Sequence, residues 1–273
     1  MACSYRIAFT TGALPLVTSA LTRHGVPPTG QRADAAAAIR EHACRLIQAL
    51  VWDGDHHDVE RPAVTEAVPA MLRCVSVFTC CAALDCIVKL ASLASGRRAL
   101  QAAGAFEIIL QPTVVKLGLA RLDVVEHSRL LAELVGAPEW GRGAQRLADV
   151  SREHADSEQV SQVCLHAIRR VVLWTGAIQR PALQGAWDAG VWRAVSCAAA
   201  SPVLTRAHCE AVASTIIAFA SRGVTIRVPA SASGRRPPTS MGFRTLRRVQ
   251  QVLSHARGAA DPAACHLARI WTA

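Results

Sequence analysis

The sequence contains no asparagine, only one tyrosine and, among its 30 basic residues, only two lysines. Long apolar runs are also missing, since the longest uncharged stretch covers residues 7–22 and is interrupted by Gly12 and Pro15. A helix needs about 20 consecutive apolar residues to cross a bilayer, so we predict that the chain has no membrane span. The chain is nevertheless 51% hydrophobic, which excludes a disordered protein and permits a sizeable core.

Motifs of common enzyme classes are missing as well. The 273 residues contain no Gly-x-Ser-x-Gly motif, no Walker phosphate loop, no dinucleotide-binding fingerprint and no His-Glu-x-x-His motif. The ten cysteines include no Cys-x-x-Cys pair, and Cys74, Cys80, Cys81 and Cys86 lie in an apolar stretch, so we predict free buried thiols. Acids and histidines at 53–60 are metal-ligand residue types, but we interpret this stretch as a solvated loop. We therefore expect no enzymatic activity, no cofactor and no metal site.

Helical periodicity fills most of the chain and predicts an all-α protein. An apolar triplet at positions i, i+3 and i+4 recurs five times, and its first members are 43, 41, 37 and 48 residues apart. The triplets are Ile47/Leu50/Val51, Leu90/Leu93/Ala94, Leu131/Leu134/Val135, Ile168/Val171/Val172 and Ile216/Phe219/Ala220. Each triplet is followed by a glycine that we predict to end a helix, since glycine adopts the left-handed conformation easily. These glycines are Gly54, Gly96, Gly136, Gly176 and Gly223.

A second landmark precedes each triplet and predicts the start of a helix. Its copies begin at Gly12, Glu66, Gly104, Gly143 and Gly190. Pro15 and Pro69 lie in the first two copies, and proline is tolerated in a first helical turn because its missing N–H group has no intrahelical partner there. A period of about 40 residues with two landmarks in register is typical of helical-repeat proteins.

These segments resemble armadillo repeats, whose units of about 42 residues contain a short first helix, a second helix and a longer third helix. The string GALPLVTSAL at 12–21 resembles a second helix, and REHACRLIQALVWDG at 40–54 resembles a third. Residues 83–110 and 164–195 each resemble a third helix followed by a short first helix and the next second helix. The resemblance covers roughly residues 8–225 and implies a right-handed α-solenoid of about five armadillo-like repeats with a basic C-terminal extension.

The resemblance also implies that the third helices line a groove for an extended segment of another protein. Many members of the family grip peptides with a ladder that includes asparagine, which this chain lacks. We therefore expect a protein–protein interaction scaffold that binds an acidic or extended segment, because arginine binds carboxylates through a bidentate fork. The predicted groove residues are Arg45, Gln48, Lys89, His166, Arg169 and Arg170. The alternative interpretation is that these residues only form a solvated face.

The C-terminal part of the chain is basic, since it has no acid between Glu210 and Asp261 and carries eight arginines there. We divide the chain into a helical repeat domain at 1–228, a linker rich in Pro, Ser and Arg at 229–240, and a basic helix with a short capping helix at 241–273. The predicted basic patch consists of Arg235, Arg236, Arg244, Arg247 and Arg248.

This patch supports an alternative function, a helical RNA-associated or organellar factor. Contact with nucleic acid would then depend strongly on salt, because arginines would displace counterions from phosphates. Few aromatic residues are available to stack on bases, which disfavours reading of a nucleic-acid sequence. We expect a cytoplasmic protein, and the alternatives are a mitochondrial or a nuclear location.

Overall fold

The structure, a computed structural model, describes residues 13–23, 32–52, 62–78, 80–135, 140–154, 156–174, 179–200 and 205–226. All regular structure in these ranges is helical and no strand occurs among them, so the predicted all-α class is confirmed for the described residues. The chain divides into two compact units, Met1–Asp123 (unit 1) and Val124–Ala273 (unit 2). The domain boundaries predicted at 228 and 240 lie outside the described residues.

Unit 1 is built from helices that pack in neighbouring pairs. They are α1 (Ala13–Arg23), α2 (Arg32–Trp52), α3 (Pro62–Phe78), α4 (Cys81–Ser92), α5 (Ala94–Ala102), α6 (Ala105–Ile109) and α7 (Pro112–Arg121). Helix α1 contacts α2 and α3, and α4 contacts α2 and α3. Leu84, Ile87 and Leu90 recur on one face of α4 and are completely buried, together with Ile47 of α2 and Met71 of α3. Each such side chain stabilises the fold by about 1.5–3 kcal/mol.

Unit 2 is organised around one central helix. Its elements are α8 (Val124–Leu134), α9 (Trp140–Glu153), α10 (Glu158–Trp174), α11 (Arg180–Ala186), a π-helical turn (Trp187–Val191), α12 (Trp192–Ala200) and α13 (Arg206–Ser221). Helix α10 contacts α8, α9 and α13, and α9 also contacts α12. The core includes Ile168 of α10 and Phe219 of α13, whose ring centroid lies 5.2 Å from that of Trp187.

Helix α13 shows how the sequence determines both ends of a helix. At its start, Oγ1 of Thr205 accepts a hydrogen bond of 3.2 Å from the backbone N–H of His208, which is an N-cap. At its end, Gly223 has a φ of 76°, and the N–H groups of Gly223 and Val224 donate to carbonyls of the last turn. This is the Schellman arrangement, so the prediction that Gly223 ends a helix is confirmed.

Gly96 does not end a helix, and the corresponding prediction is wrong. Helix α4 ends at Ser92, Leu93 has extended backbone angles, and Gly96 lies inside α5. A Cβ atom at Gly96 would stand 2.3 Å from the carbonyl oxygen of Leu90. The glycine therefore permits the close approach of α5 to the end of α4, and the triplet that begins at Leu90 is divided between two helices. Gly54, Gly136 and Gly176 lie outside the described residues.

The landmark at Glu66 does not mark the start of a helix, which also corrects a prediction. Helix α3 begins at Pro62, so Pro69 lies in its interior. Pro62 takes the first helical position, where the missing N–H group removes no helical hydrogen bond. The landmarks at Gly12, Gly104 and Gly190 lie within two residues of the helix starts at Ala13, Ala105 and Trp192, whereas Gly143 lies inside α9, which begins at Trp140.

The two sequence segments that most resemble a repeat each contain several helical elements. Residues 83–110 contain the last part of α4, then α5 and α6. Residues 164–195 contain the last part of α10, then α11, the π-helical turn and the beginning of α12. Each segment therefore has a longer helix, a shorter helix and a further helical element, and the armadillo-like order of these helices stays a prediction.

Candidate partner-binding surface

One face of α10 remains uncovered by the helices that pack against it. His166, Arg169 and Arg170 are half-buried, and Leu173 is 47% exposed. These four residues lie at positions i, i+3, i+4 and i+7 and form one stripe along the helix, which we call the α10 stripe. The buried positions of α10 are Val160, Ser161, Gln162, Val163, Cys164, Leu165, Ala167, Ile168, Val171 and Val172.

The two guanidinium groups of the α10 stripe have no carboxylate partner among the described residues. Arg129, Arg152 and Arg206 of the same unit each lie within 4.0 Å of a carboxylate, whereas Arg169 and Arg170 form no such ion pair in the described part of the chain. A guanidinium group without a carboxylate partner can bind a carboxylate of a ligand through two parallel hydrogen bonds. The stripe is therefore suited to an acidic ligand.

His166 lies in the positive potential of these arginines. Burial lowers the pKa of His166, the charges of Arg169 and Arg170 lower it further, and Glu210 on α13 acts in the opposite direction. Glu210 in turn lies 3.0 Å from Nε of Arg206. At neutral pH the α10 stripe thus carries two positive charges and an uncharged histidine that gains a charge on acidification.

The predicted groove residues of unit 1 have a different electrostatic environment. Arg45 on α2 is exposed and pairs with Glu41 at 2.5 Å on the same helix. Gln48 follows on α2 and is half-buried, as is Lys89 on α4, and these two helices contact each other. Glu41 compensates the charge of Arg45. The groove residues of unit 1 therefore attract an acidic ligand less strongly than the α10 stripe does.

Sequence reasoning missed a buried polar chain that joins α9, α10 and α13. The Oγ atoms of Ser151 and Ser161 are 3.1 Å apart, and Oγ of Ser161 lies 3.3 Å from Nε2 of His208. A serine beside a histidine can be a nucleophile beside its base, but these side chains are at most 1% exposed. Nδ1 of His208 has no partner in the described part of the chain, so no acid orients the ring. The hydrogen-bonded side chains of Ser151, Ser161 and His208 therefore connect three helices. In the sequence, the polar residues on otherwise apolar helix faces could have indicated this network.

The cysteine cluster of the sequence is only partly buried. Cys74 and Cys86 are buried as predicted, and burial raises the pKa of Cys86 to about 12. Cys80 is half-buried and Cys81 is exposed, so the prediction of a buried thiol is wrong for Cys81. Spacing in the sequence also missed Cys44, which the fold brings beside Cys74 and Cys80.

The described ranges contain neither a cluster of metal-ligating side chains nor a membrane-spanning helix. No group of three or more His, Cys, Asp or Glu side chains in these ranges is arranged to hold a metal ion. No helix in the same ranges combines the length and the apolar character needed to cross a bilayer. The stretch at 53–60 and the C-terminal basic patch lie outside the described residues, so both remain predictions.

Comparison with known proteins does not assign the chain to a family. No protein-family model matches it, and neither a curated protein nor a solved structure does.

Proposed function

We propose that the protein is a non-enzymatic interaction scaffold of armadillo-like helical repeats whose α10 stripe binds an acidic segment of a partner protein. The observation that carries the proposal is the pair Arg169 and Arg170, two consecutive half-buried arginines without a carboxylate partner in the described part of the chain. A segment with two carboxylates supplies the compensating charges, and each guanidinium fork can hold one carboxylate through two hydrogen bonds.

The order of helix contacts supports a repeat architecture within each unit. In unit 1, α2 and α4 carry successive triplets and contact each other, and so do α1 and α3, which carry successive landmarks. In unit 2, α10 contacts α8 and α13, which carry the preceding and the following triplet, and α9 contacts α12. In stacked repeats, equivalent helices of successive repeats contact each other, because each repeat buries its apolar face against its neighbours.

Leu173 adds an apolar contact to the α10 stripe. Its side chain is 47% exposed and lies one helical turn beyond Arg169 and Arg170. Interfaces combine a buried apolar anchor with charged groups that set the orientation of the partner. The ligand that fits this stripe is therefore a segment with two or more acids followed or preceded by an apolar side chain.

A charge reversal in the full chain tests the proposal. The variant Arg169→Glu/Arg170→Glu is compared with Arg97→Glu/Arg98→Glu, which reverses two consecutive arginines on α5 and produces the same net charge. The probe is a fluorescent glutamate-rich peptide that contains one leucine, and its binding is followed by anisotropy. We expect the dissociation constant to rise at least about tenfold in the first variant and by less than about threefold in the second. Equal losses would show a response to net charge alone, and unchanged binding in the first variant would contradict the assignment.

The alternative of an RNA-associated or organellar factor depends on the C-terminal basic patch. That patch lies outside the described residues, so no contact or distance favours this function over the scaffold. It remains a prediction from the charge distribution of the sequence.

A further inference from the structure

The chain itself contains a segment of the kind that the α10 stripe is suited to bind. Residues 53–60 have the sequence DGDHHDVE and carry four acids, the largest number in any window of eight residues of the chain. No lysine or arginine occurs between Arg45 and Arg61, so no basic neighbour in the sequence compensates these acids. We call residues 53–60 the acidic segment. It joins α2, which ends at Trp52, to α3, which begins at Pro62, and it lies outside the described residues.

The composition and the length of the acidic segment both match the α10 stripe. Its four carboxylates are sufficient to compensate Arg169 and Arg170, since each guanidinium fork binds one carboxylate through two hydrogen bonds. Val59 lies between two of the acids and supplies an apolar contact for the exposed Leu173. The stripe extends over seven residues of a helix, or about 10 Å. Eight residues in an extended conformation span about 25 Å, so the segment is long enough to follow the whole stripe.

Acids on the helices around α10 are engaged with other side chains. Helices α8, α9 and α13 contact α10, and each contains an acid that pairs with an arginine of the same helix. These pairs are Glu133–Arg129 on α8 (3.6 Å), Asp149–Arg152 on α9 (3.1 Å) and Glu210–Arg206 on α13 (3.0 Å). Arg169 and Arg170 have no such partner in the described part of the chain, so a carboxylate from elsewhere is needed to compensate them.

We propose that the α10 stripe of one copy of this protein binds the acidic segment of a second copy. This inference rests on the proposed function, because it uses the same stripe and names its partner. The stripe belongs to unit 2 and the segment to unit 1, so every copy carries one of each. The interface is therefore heterologous. Each pairing leaves one free stripe and one free segment, and further copies add head to tail.

The charge of the whole chain determines the conditions under which this association is measured. Each copy has a net charge of +10, so two copies repel each other. At about 0.15 M salt, exposed charges that are more than about 8 Å apart are largely screened, whereas charges in direct contact are closer than this distance. Histidine is mostly uncharged at about pH 7.5, so His56 and His57 leave the negative charge of the acidic segment intact there.

A peptide titration of the wild-type full chain tests the ligand. The probe is a fluorescent peptide of residues 53–60, and its control has asparagine and glutamine in place of the four acids. We expect the control to bind at least about tenfold more weakly by anisotropy. Binding of the glutamate-rich peptide without binding of the 53–60 peptide would overturn the self-association and leave the proposed function standing. Binding of neither peptide would overturn both.

Sedimentation velocity of the full chain over a range of concentrations tests the second copy. The stripe variant is Arg169→Glu/Arg170→Glu, and the segment variant carries Asp53→Asn, Asp55→Asn, Asp58→Asn and Glu60→Gln. We expect the average sedimentation coefficient to rise with concentration in the wild type, and each variant alone to remain monomeric. A control variant has the same net charge as the segment variant but should still associate. It changes four exposed acids elsewhere, with Glu66→Gln, Glu107→Gln, Glu153→Gln and Asp156→Asn.

A mixture of the two variants separates this interface from an effect of net charge. The stripe variant keeps an intact acidic segment and the segment variant keeps an intact stripe, so one contact can form between them. We expect a 1:1 dimer that does not grow further, because the remaining stripe and the remaining segment are both altered. A mixture that forms no dimer would overturn the proposal. A wild type that stays monomeric would also overturn it and leave the stripe to another acidic partner.

Discussion

Mild acid should destabilise unit 2 through one buried histidine. His127 on α8 is 0% exposed, and neither of its ring nitrogens has a hydrogen-bond partner in the described part of the chain. Burial lowers its pKa from 6.5 to about 4, because the protonated ring would lose its hydration. The folded protein therefore keeps His127 neutral over a pH range in which the unfolded chain binds a proton.

The sign and the size of the effect follow from this difference. Above pH 6.5 the ring is neutral in both states, so the histidine does not affect stability. Below that value the unfolded chain takes up a proton that the folded chain refuses, and the free energy of unfolding falls until the folded ring protonates near pH 4. Between about pH 7 and about pH 5 the expected loss is about 2 kcal/mol, at about 1.4 kcal/mol per pH unit.

Urea unfolding of the full chain at both pH values, followed by far-UV circular dichroism, measures this loss. The variant His127→Leu removes the titrating ring and replaces it with an apolar side chain of similar size. Its loss of stability should be smaller than that of the wild type by about 2 kcal/mol, since His166 and His208, whose pKa values burial also lowers, are the same in both proteins. Equal losses in the two proteins would refute the reasoning.

Two further predictions concern packing and charge. Gly96→Ala should lower the thermal midpoint and reduce stability by about 1–3 kcal/mol, because its Cβ would meet the carbonyl of Leu90 at 2.3 Å. The control Gly185→Ala should be neutral or stabilising, because a Cβ at Gly185 would have no atom within 4 Å. The opposite order of the two variants in thermal melts would argue against close packing of α5 on α4. Binding of the acidic peptide should tighten as the pH falls below 6.5, because bound carboxylates favour protonation of His166. The charges of Arg169 and Arg170 oppose this protonation, and the charge of Glu210 favours it. Anisotropy titrations should show that His166→Ala removes this dependence, and binding of the wild type that does not change with pH would contradict it.

Helix content could be predicted from the sequence because the spacing of apolar residues is a local property. Helix ends were harder to predict, because two glycines after an apolar triplet look alike in the sequence. Gly223 adopts a positive φ and ends α13, whereas Gly96 lies inside a helix beside the carbonyl of Leu90. Only the distance between α4 and α5 distinguishes the two roles, and a single sequence does not contain that distance.

The candidate surface could be predicted in part for the same reason. His166, Arg169 and Arg170 interrupt an otherwise apolar helix at positions that share one face, and this spacing is visible in the sequence. Glu41 and Arg45 are four residues apart on one helix, a spacing that favours an ion pair and is visible in the sequence. It distinguishes the predicted groove residues of unit 1 from those of the α10 stripe. The interaction of Cys44 with Cys74 could not be predicted, because the two residues lie on different helices and only tertiary packing brings them together.

A charge swap between the α10 stripe and its ligand tests the central claim most directly. The wild type and Arg169→Glu/Arg170→Glu are each titrated with a glutamate-rich peptide and with the same peptide in which lysine replaces glutamate. The two reversals change the formal net charge from +10 to +6 (10 − 2 × 2), so the variant as a whole still repels a basic peptide. We predict that the wild type prefers the acidic peptide and the variant the basic one. A variant that still prefers the acidic peptide would contradict the assignment of the α10 stripe as the binding site.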